Sequence, residues 1–154
     1  MPTFYYNTSI GALGISEENG FITTVYFANK PKPVALDLRE TPLIKEAAEQ
    51  LKLYLAGGLR EFSLPLELKG TPFMERVWAE LQKIPYGETA TYGQIAGRVG
   101  NAKACRAVGM ANNRNPIPII VPCHRVIGAN GKLVGFGGGL PLKQKLLSLE
   151  QQHR

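Results

Sequence analysis

The sequence is short of the residues that build metal and disulfide sites. Its 154 residues include two cysteines, Cys105 and Cys123, and two histidines. No C-x-x-C pair occurs, and so few soft ligands do not complete a tetrahedral zinc site, so no metal is expected. A disulfide-stapled secreted module is equally disfavoured, and both cysteines read as free thiols in a reducing compartment. No apolar run approaches the roughly 20 residues that span a bilayer. The opening MPTFYYNTSIG lacks the basic-then-apolar order of a secretory signal. The expected location is therefore cytoplasmic, with no membrane partner. No internal repeat and no low-complexity segment is present. Acidic residues are scarce in one half only. Residues 70–154 carry four against eleven Lys/Arg, whereas residues 1–69 carry eight against seven. The net charge of +6 thus lies wholly in the second half, which points that half towards a polyanion.

What is present divides near Lys69-Gly70, where composition and charge both change. In the first half, FYYN, GALGIS and FITTVYFA are β-prone runs, and Asn19-Gly20 between the last two is the pair a tight hairpin prefers. NKPKPVALDLRE reads as a connection. Thr41-Pro42 starts a helix whose apolar positions Ile44, Ala47, Ala48, Leu51, Tyr54 and Leu55 recur at helical spacing until Gly57-Gly58. LREFSLPLEL reads as one more strand or a linker. The second half is mostly α. A helix capped by Thr71 carries the stripe Phe73, Val77, Leu81 and Ile84. Thr91 with Gln94 forms a capping-box pattern ahead of Tyr92, Ile95, Ala96 and Val99. After Gly100-Asn101 a second short helix is expected from about Ala102 to Asn112, which gives the outline of a helix-turn-helix. A last helix from Pro141 is expected to bury Leu142, Leu146 and Leu149. The fold class is therefore α/β in the α+β sense: a small N-terminal sheet with a helix over residues 1–69, then a mostly helical domain over 70–154.

The chemistry concentrates at IPIIVPCHRVIG, residues 117–128. A thiol attacks as thiolate, so Cys123 needs a nearby base or cation. His124 is adjacent, but neighbours on an extended strand point to opposite sides, so a turn at Pro122 or a bridging water is required. A base is commonly oriented by a carboxylate. The second half offers Glu75, Glu80, Glu88 and Glu150, and spacing does not choose among them. Cys105 reads as structural. LVGFGGG, residues 133–139, does not match a phosphate-binding loop and reads as a flexible loop where a ligand or backbone approaches.

PCHRV resembles the active-site signature of the O6-alkylguanine-DNA alkyltransferases, also called methylated-DNA–protein-cysteine methyltransferases. TYGQIA, ACRAVGMANNRNPIPIIVPCHRVIG, GKLVGFGGGL and LLSLE fall in that family's order, and the match is dense from Thr71 to Glu150. The resemblance implies DNA repair by single, irreversible transfer of an alkyl group from O6-alkylguanine, extending to O4-alkylthymine, with no cofactor. It implies Cys123 as acceptor, His124 as a base acting through water, Glu150 as its orienter, and Asn115 as organiser of the turn into the site. Tyr92 is implied to help evert the nucleotide and protonate N3 of the departing guanine, and Arg106 to fill the vacated gap. Lys103, Ala104, Ala107, Arg114 and Arg125 join them as implied DNA contacts. Small residues at Ala102, Ala104, Ala107, Gly109 and Ala111 suit a helix seated in the minor groove of double-stranded DNA. Val126, Gly135, Phe136 and Gly137 are implied to line the base pocket. Gln144-Lys145, where many relatives carry an acidic residue and tryptophan, is expected to loosen packing near Glu150. The protein is expected to act as a monomer, largely independent of DNA sequence. The alternatives are an alkylation sensor or transcriptional regulator that uses Cys123 as a switch, and a thiol hydrolase.

Overall fold

The computed structural model describes residues 1–30 and 37–154, so half of the proline-marked connection lies outside the described residues. The chain divides into two compact units, Met1–Glu67 and Leu68–Arg154. The architecture is α+β, with a three-stranded antiparallel sheet in the first unit and a mostly helical second unit.

In the first unit β1 (Thr3–Thr8), β2 (Gly11–Glu18) and β3 (Phe21–Tyr26) pair in sequence order. Asn19 and Gly20 both take positive φ, 53° and 81°, as the tight hairpin between β2 and β3 requires. Leu13, Ile15, Ile22 and Val25 are buried in the sheet, and α1 (Pro42–Leu55) packs on it with Ile44, Ala47, Ala48 and Leu51 buried. The Thr41 hydroxyl accepts the Ile44 N–H and donates to the Glu17 carboxylate, so the cap also ties α1 to the sheet. LREFSLPLEL forms no strand. It makes one bridge, Ile22 to Leu66, held by Ile22 N–H to Pro65 O at 2.8 Å and Glu67 N–H to Ile22 O at 3.0 Å.

In the second unit α2 (Pro72–Leu81), α3 (Tyr92–Arg98) and α4 (Cys105–Asn113) pack on one another. The Thr91–Gln94 capping box starts α3 with both reciprocal bonds in place. Trp78 of α2 is buried and donates its indole N–H to Ala111 O at 2.8 Å, which pins α4 from beneath. The helix expected from Ala102 begins at Cys105, because Asn101 first closes a turn: its backbone O accepts the Ala104 N–H and its side chain accepts the Lys103 N–H. Two-residue strands β4 (Ala90–Thr91) and β5 (Val126–Ile127) pair in parallel and carry Tyr92 to the end of the Cys123 segment. The last helix, α5 (Leu140–Gln152), corrects the expected buried face. Leu142 and Leu149 are half-exposed, whereas Lys143, Leu146 and Glu150 are buried. Both charged side chains have partners inside the unit, which makes their burial tolerable.

Candidate active site

Residues 115–125 form a compact turn that delivers the thiol. Asn115 is 9% exposed and uses its amide twice: Oδ1 accepts the Ile117 N–H at 3.0 Å and Nδ2 donates to Val121 O at 2.8 Å. Val121 N–H closes the same turn on Ile117 O at 2.9 Å. Ile119 at its apex has φ 73°, a left-handed backbone that a β-branched residue adopts only when its surroundings enforce it. Pro122 then leads into a single 3-10 turn, Cys123–Arg125. That turn supplies the bend the sequence called for, since it stops Cys123 and His124 from pointing to opposite faces of a strand.

Cys123 is 4% exposed. Burial pushes its thiol up to about 11, against hydrogen bonding from Asn115 and the Ile119 backbone and the charge of Lys143, all of which favour the thiolate. The resting sulfur is therefore a neutral thiol set among groups that stabilise its anion. His124 is fully buried, and burial holds its imidazole below the ordinary value despite Glu150. Its Nε2 lies 2.6 Å from Glu150 Oε2. Burial would raise the Glu150 carboxyl, but hydrogen bonds and charge from His124 and Arg125 overcome this and hold it at about 2. An ionised carboxylate only accepts, so Nε2 carries the proton and Nδ1 keeps the basic lone pair. The arrangement supplies a neutral, oriented base beside a thiol.

Glu150 is saturated. Its oxygens also accept Arg125 Nε at 2.9 Å, an Arg125 terminal nitrogen at 3.0 Å and the Gly87 N–H at 3.0 Å. Gly87 makes this approach with φ 80°, a conformation that favours glycine. Packing near Glu150 is not loosened by Gln144-Lys145, for Glu150 is 1% exposed and Gln144 points away to Ser148 at 2.9 Å. Arg125 is a correction. Expected at DNA, it is 7% exposed, with its other terminal nitrogen donating to Ile84 O at 2.7 Å. Its guanidinium is committed to Glu150 and the backbone, so it holds the base's partner in place and does not reach a nucleic acid.

Tyr92, at the start of α3, donates its hydroxyl to Val134 O at 2.9 Å, and burial raises its pKa. Lys143, which the sequence reading left out, donates to the same carbonyl at 2.9 Å and lies 5.9 Å from the Tyr92 ring centre. It therefore fastens the glycine-rich loop to the Cys123 region. The only sequence signal was its place one turn before Leu146 on the face that ends at Glu150. Gly135 has φ 58° and lies so close to Asn113 that a Cβ would stand 3.4 Å from that side chain. It is exposed, Phe136 and Gly137 are half-buried, and Val126 is fully buried in β5.

Arg106, Ala107 and Lys103 are exposed on or just before α4, with Ala104 half-buried and Arg114 exposed at its end. The small-residue stripe is shorter than expected, because Ala111 faces the core at 1% exposure. Met110, 55% exposed, stands on the outer face instead. Cys105 is exposed at the first turn of α4, not buried as a structural cysteine would be. Among the described residues no cluster of His, Cys, Asp and Glu is placed to hold a metal ion.

Two family descriptions match the chain: "6-O-methylguanine DNA methyltransferase, DNA binding domain" over residues 72–152 and "6-O-methylguanine DNA methyltransferase, ribonuclease-like domain" over residues 3–68. The chain belongs to the 6-O-methylguanine DNA methyltransferase family. It is 48% identical to a methylated-DNA–protein-cysteine methyltransferase of Mycolicibacterium paratuberculosis, over 96% of this chain and 90% of that one. It is 46% identical to the constitutive methyltransferase of Bacillus subtilis, over 96% and 95%. Among solved structures, the OGT of Mycobacterium tuberculosis in complex with DNA superposes with a TM-score of 0.93 at 43% identity, covering 99% of this chain and 94% of that chain. This methyltransferase is thus an enzyme of its family in both sequence and fold.

Proposed function

We propose that the protein repairs alkylated duplex DNA by one irreversible transfer of an alkyl group from O6 of guanine to Cys123. The observation that carries this reading is the buried chain of Arg125, Glu150 and His124 behind a buried thiol. It fits a nucleophile ionised only when its substrate arrives. O6 lies inside the base stack, so the nucleotide must be everted, at a cost of a few kcal/mol. Arg106 fills the gap it leaves. α4 enters the minor groove, whose readout is degenerate, and exposed lysines and arginines neutralise phosphates, so binding is largely independent of sequence. The Cys123 proton passes to His124 through a water. The sulfur then forms a bond to the alkyl carbon as the C–O6 bond breaks, and Tyr92 gives its proton to N3 of the departing guanine. Electrons and atoms balance without a further reactant. The product is a thioether with no easy route back, so each molecule acts once. O4-alkylthymine is a second substrate in this reading. The protein works as a monomer in the reducing cytoplasm. No described helix is long and apolar enough to cross a membrane.

The test is intact-mass measurement after exposure to a duplex carrying O6-methylguanine. One added methylene mapped to Cys123, absent in Cys123→Ser, supports the reading. A methylene elsewhere, or transfer surviving in Cys123→Ser, ends it.

A further inference from the structure

Gly87 is gripped on both sides by two consecutive residues of α5. Its N–H donates to Glu150 Oε1 at 3.0 Å, and its carbonyl accepts Gln151 Nε2 at 2.8 Å. The Gln151 amide is itself oriented, since its Oε1 accepts an Arg154 terminal nitrogen at 3.4 Å. Gly87 is the third residue of the turn Pro85–Glu88, which the Glu88 N–H closes on Pro85 O at 3.1 Å. A φ of 80° at that position makes the turn type II. Types I and II differ in which way the central peptide faces. In type II the Gly87 N–H meets Glu150. In type I, which residues other than glycine and asparagine prefer at this place, the same N–H faces the opposite way. The turn thus has two settings, and one of them holds the carboxylate behind His124.

We propose, on the footing of the repair reading, that Gly87 and Gln151 are positioning residues for the His124 base: Gln151 keeps the turn in its type II setting, and the Gly87 N–H anchors Glu150 Oε1. Both act through Glu150, whose two oxygens are divided. Oε1 takes Gly87 and Arg125 Nε, while Oε2 takes His124 and an Arg125 terminal nitrogen. A donor on Oε1 draws negative charge from the carboxylate, and so weakens its pull on a proton at the imidazole. The charges that act on His124 are Glu150 and Lys143 of α5 and Arg125 of its own turn, beside the neutral Cys123 thiol. α2 also packs on that turn and adds no charge that acts on His124. The two cations oppose protonation, and Glu150 alone favours it. The Gly87 N–H therefore works on the side of the neutral base.

The experiment follows single-turnover methyl transfer from an O6-methylguanine duplex across pH. Gly87→Ala favours the type I turn, and the acid limb of the profile is expected to move up by about one pH unit, the worth of one hydrogen bond to a charged group. Gly87→Asn is the rescue. A Cβ at residue 87 meets the flexible Arg154 side chain, 2.5 Å from its Cγ, in both variants alike. Asparagine tolerates positive φ, so its limb returns to the parent's position. Gln151→Leu, at an exposed position, moves the limb in the same direction by a smaller step, and it carries the test should Gly87→Ala fail to fold. Damage to the fold alone slows transfer equally at every pH and leaves the limb in place. A limb unmoved in Gly87→Ala or in Gln151→Leu, or moved as far in Gly87→Asn as in the alanine variant, overturns the inference. NMR titration of the His124 ring in the DNA-free protein reads the same shift without any transfer. Absence of methyl transfer to Cys123 by the wild type thus overturns the repair reading, while the titration still judges the Gly87 contact by itself.

Discussion

Glu150 is a single carboxylate with three kinds of partner, and their division of labour is testable. Its folded value of about 2 lies below the ordinary 4.5. A depressed acid contributes stability that is present above its unfolded value and lost as pH falls through the folded one. Acid unfolding of the wild type is therefore expected to steepen between pH 4.5 and 2, and Glu150→Gln to flatten that limb, as read by circular dichroism melts across pH. His124 has the opposite charge logic. Burial lowers its pKa, so the neutral base persists below the ordinary 6.5. The transfer rate is expected to stay level from neutral pH past 6.5 and to decline only in more acidic buffer. His124→Phe, measured by single-turnover kinetics, is expected to cost roughly 10²-fold or more, the usual range for loss of a general base. A rate equal to the parent's at neutral pH removes His124 from the mechanism. Arg125→Leu leaves Glu150 buried without its guanidinium, and a loss of about 3–5 kcal/mol in denaturant melts is expected.

At the scale of elements, α4 presents Arg106 outward while Trp78 and Asn112 hold its inner side. Arg106→Ala is expected to damage transfer from duplex DNA far more than reaction with the free O6-alkylguanine base, because only the duplex has a gap to fill. Equal losses on both substrates would contradict the finger role. The element boundaries show what a sequence carries on its surface. Thr41-Pro42, Thr71-Pro72 and Thr91 with Gln94 were legible because a cap is satisfied within four residues of itself. Asn19-Gly20 was legible for the same reason. The inner faces were harder. Lys143 and Glu150 share the buried face of α5, yet hydrophobic spacing favoured Leu142 and Leu149, because charge pairs are invisible to an apolar count. Arg125 looked available to DNA because its partners, Glu150 and the Ile84 carbonyl, lie 25 and 41 residues away. Asn112 gave no local signal at all. Its amide nitrogen meets the carbonyl of Cys123, eleven residues on.

Across the whole molecule the basic surplus is smaller in effect than in count. Two of the eleven cations of residues 70–154, Arg125 and Lys143, are buried, and the other nine are exposed. The salt dependence of DNA affinity therefore has a ceiling. The slope of log affinity against log salt is expected to stay shallower than about 8, since each neutralised phosphate contributes about 0.9. A steeper slope, measured by fluorescence anisotropy across salt, requires cations from residues 1–69. The two thiols also differ in kind, one open at the foot of α4 and the other enclosed behind the Asn115 turn. Maleimide added to the native protein should label Cys105 within moments and reach Cys123 only as fast as the turn breathes open. The lag between first and second label is a clock for local unfolding, with its own reference reading carried in the same chain.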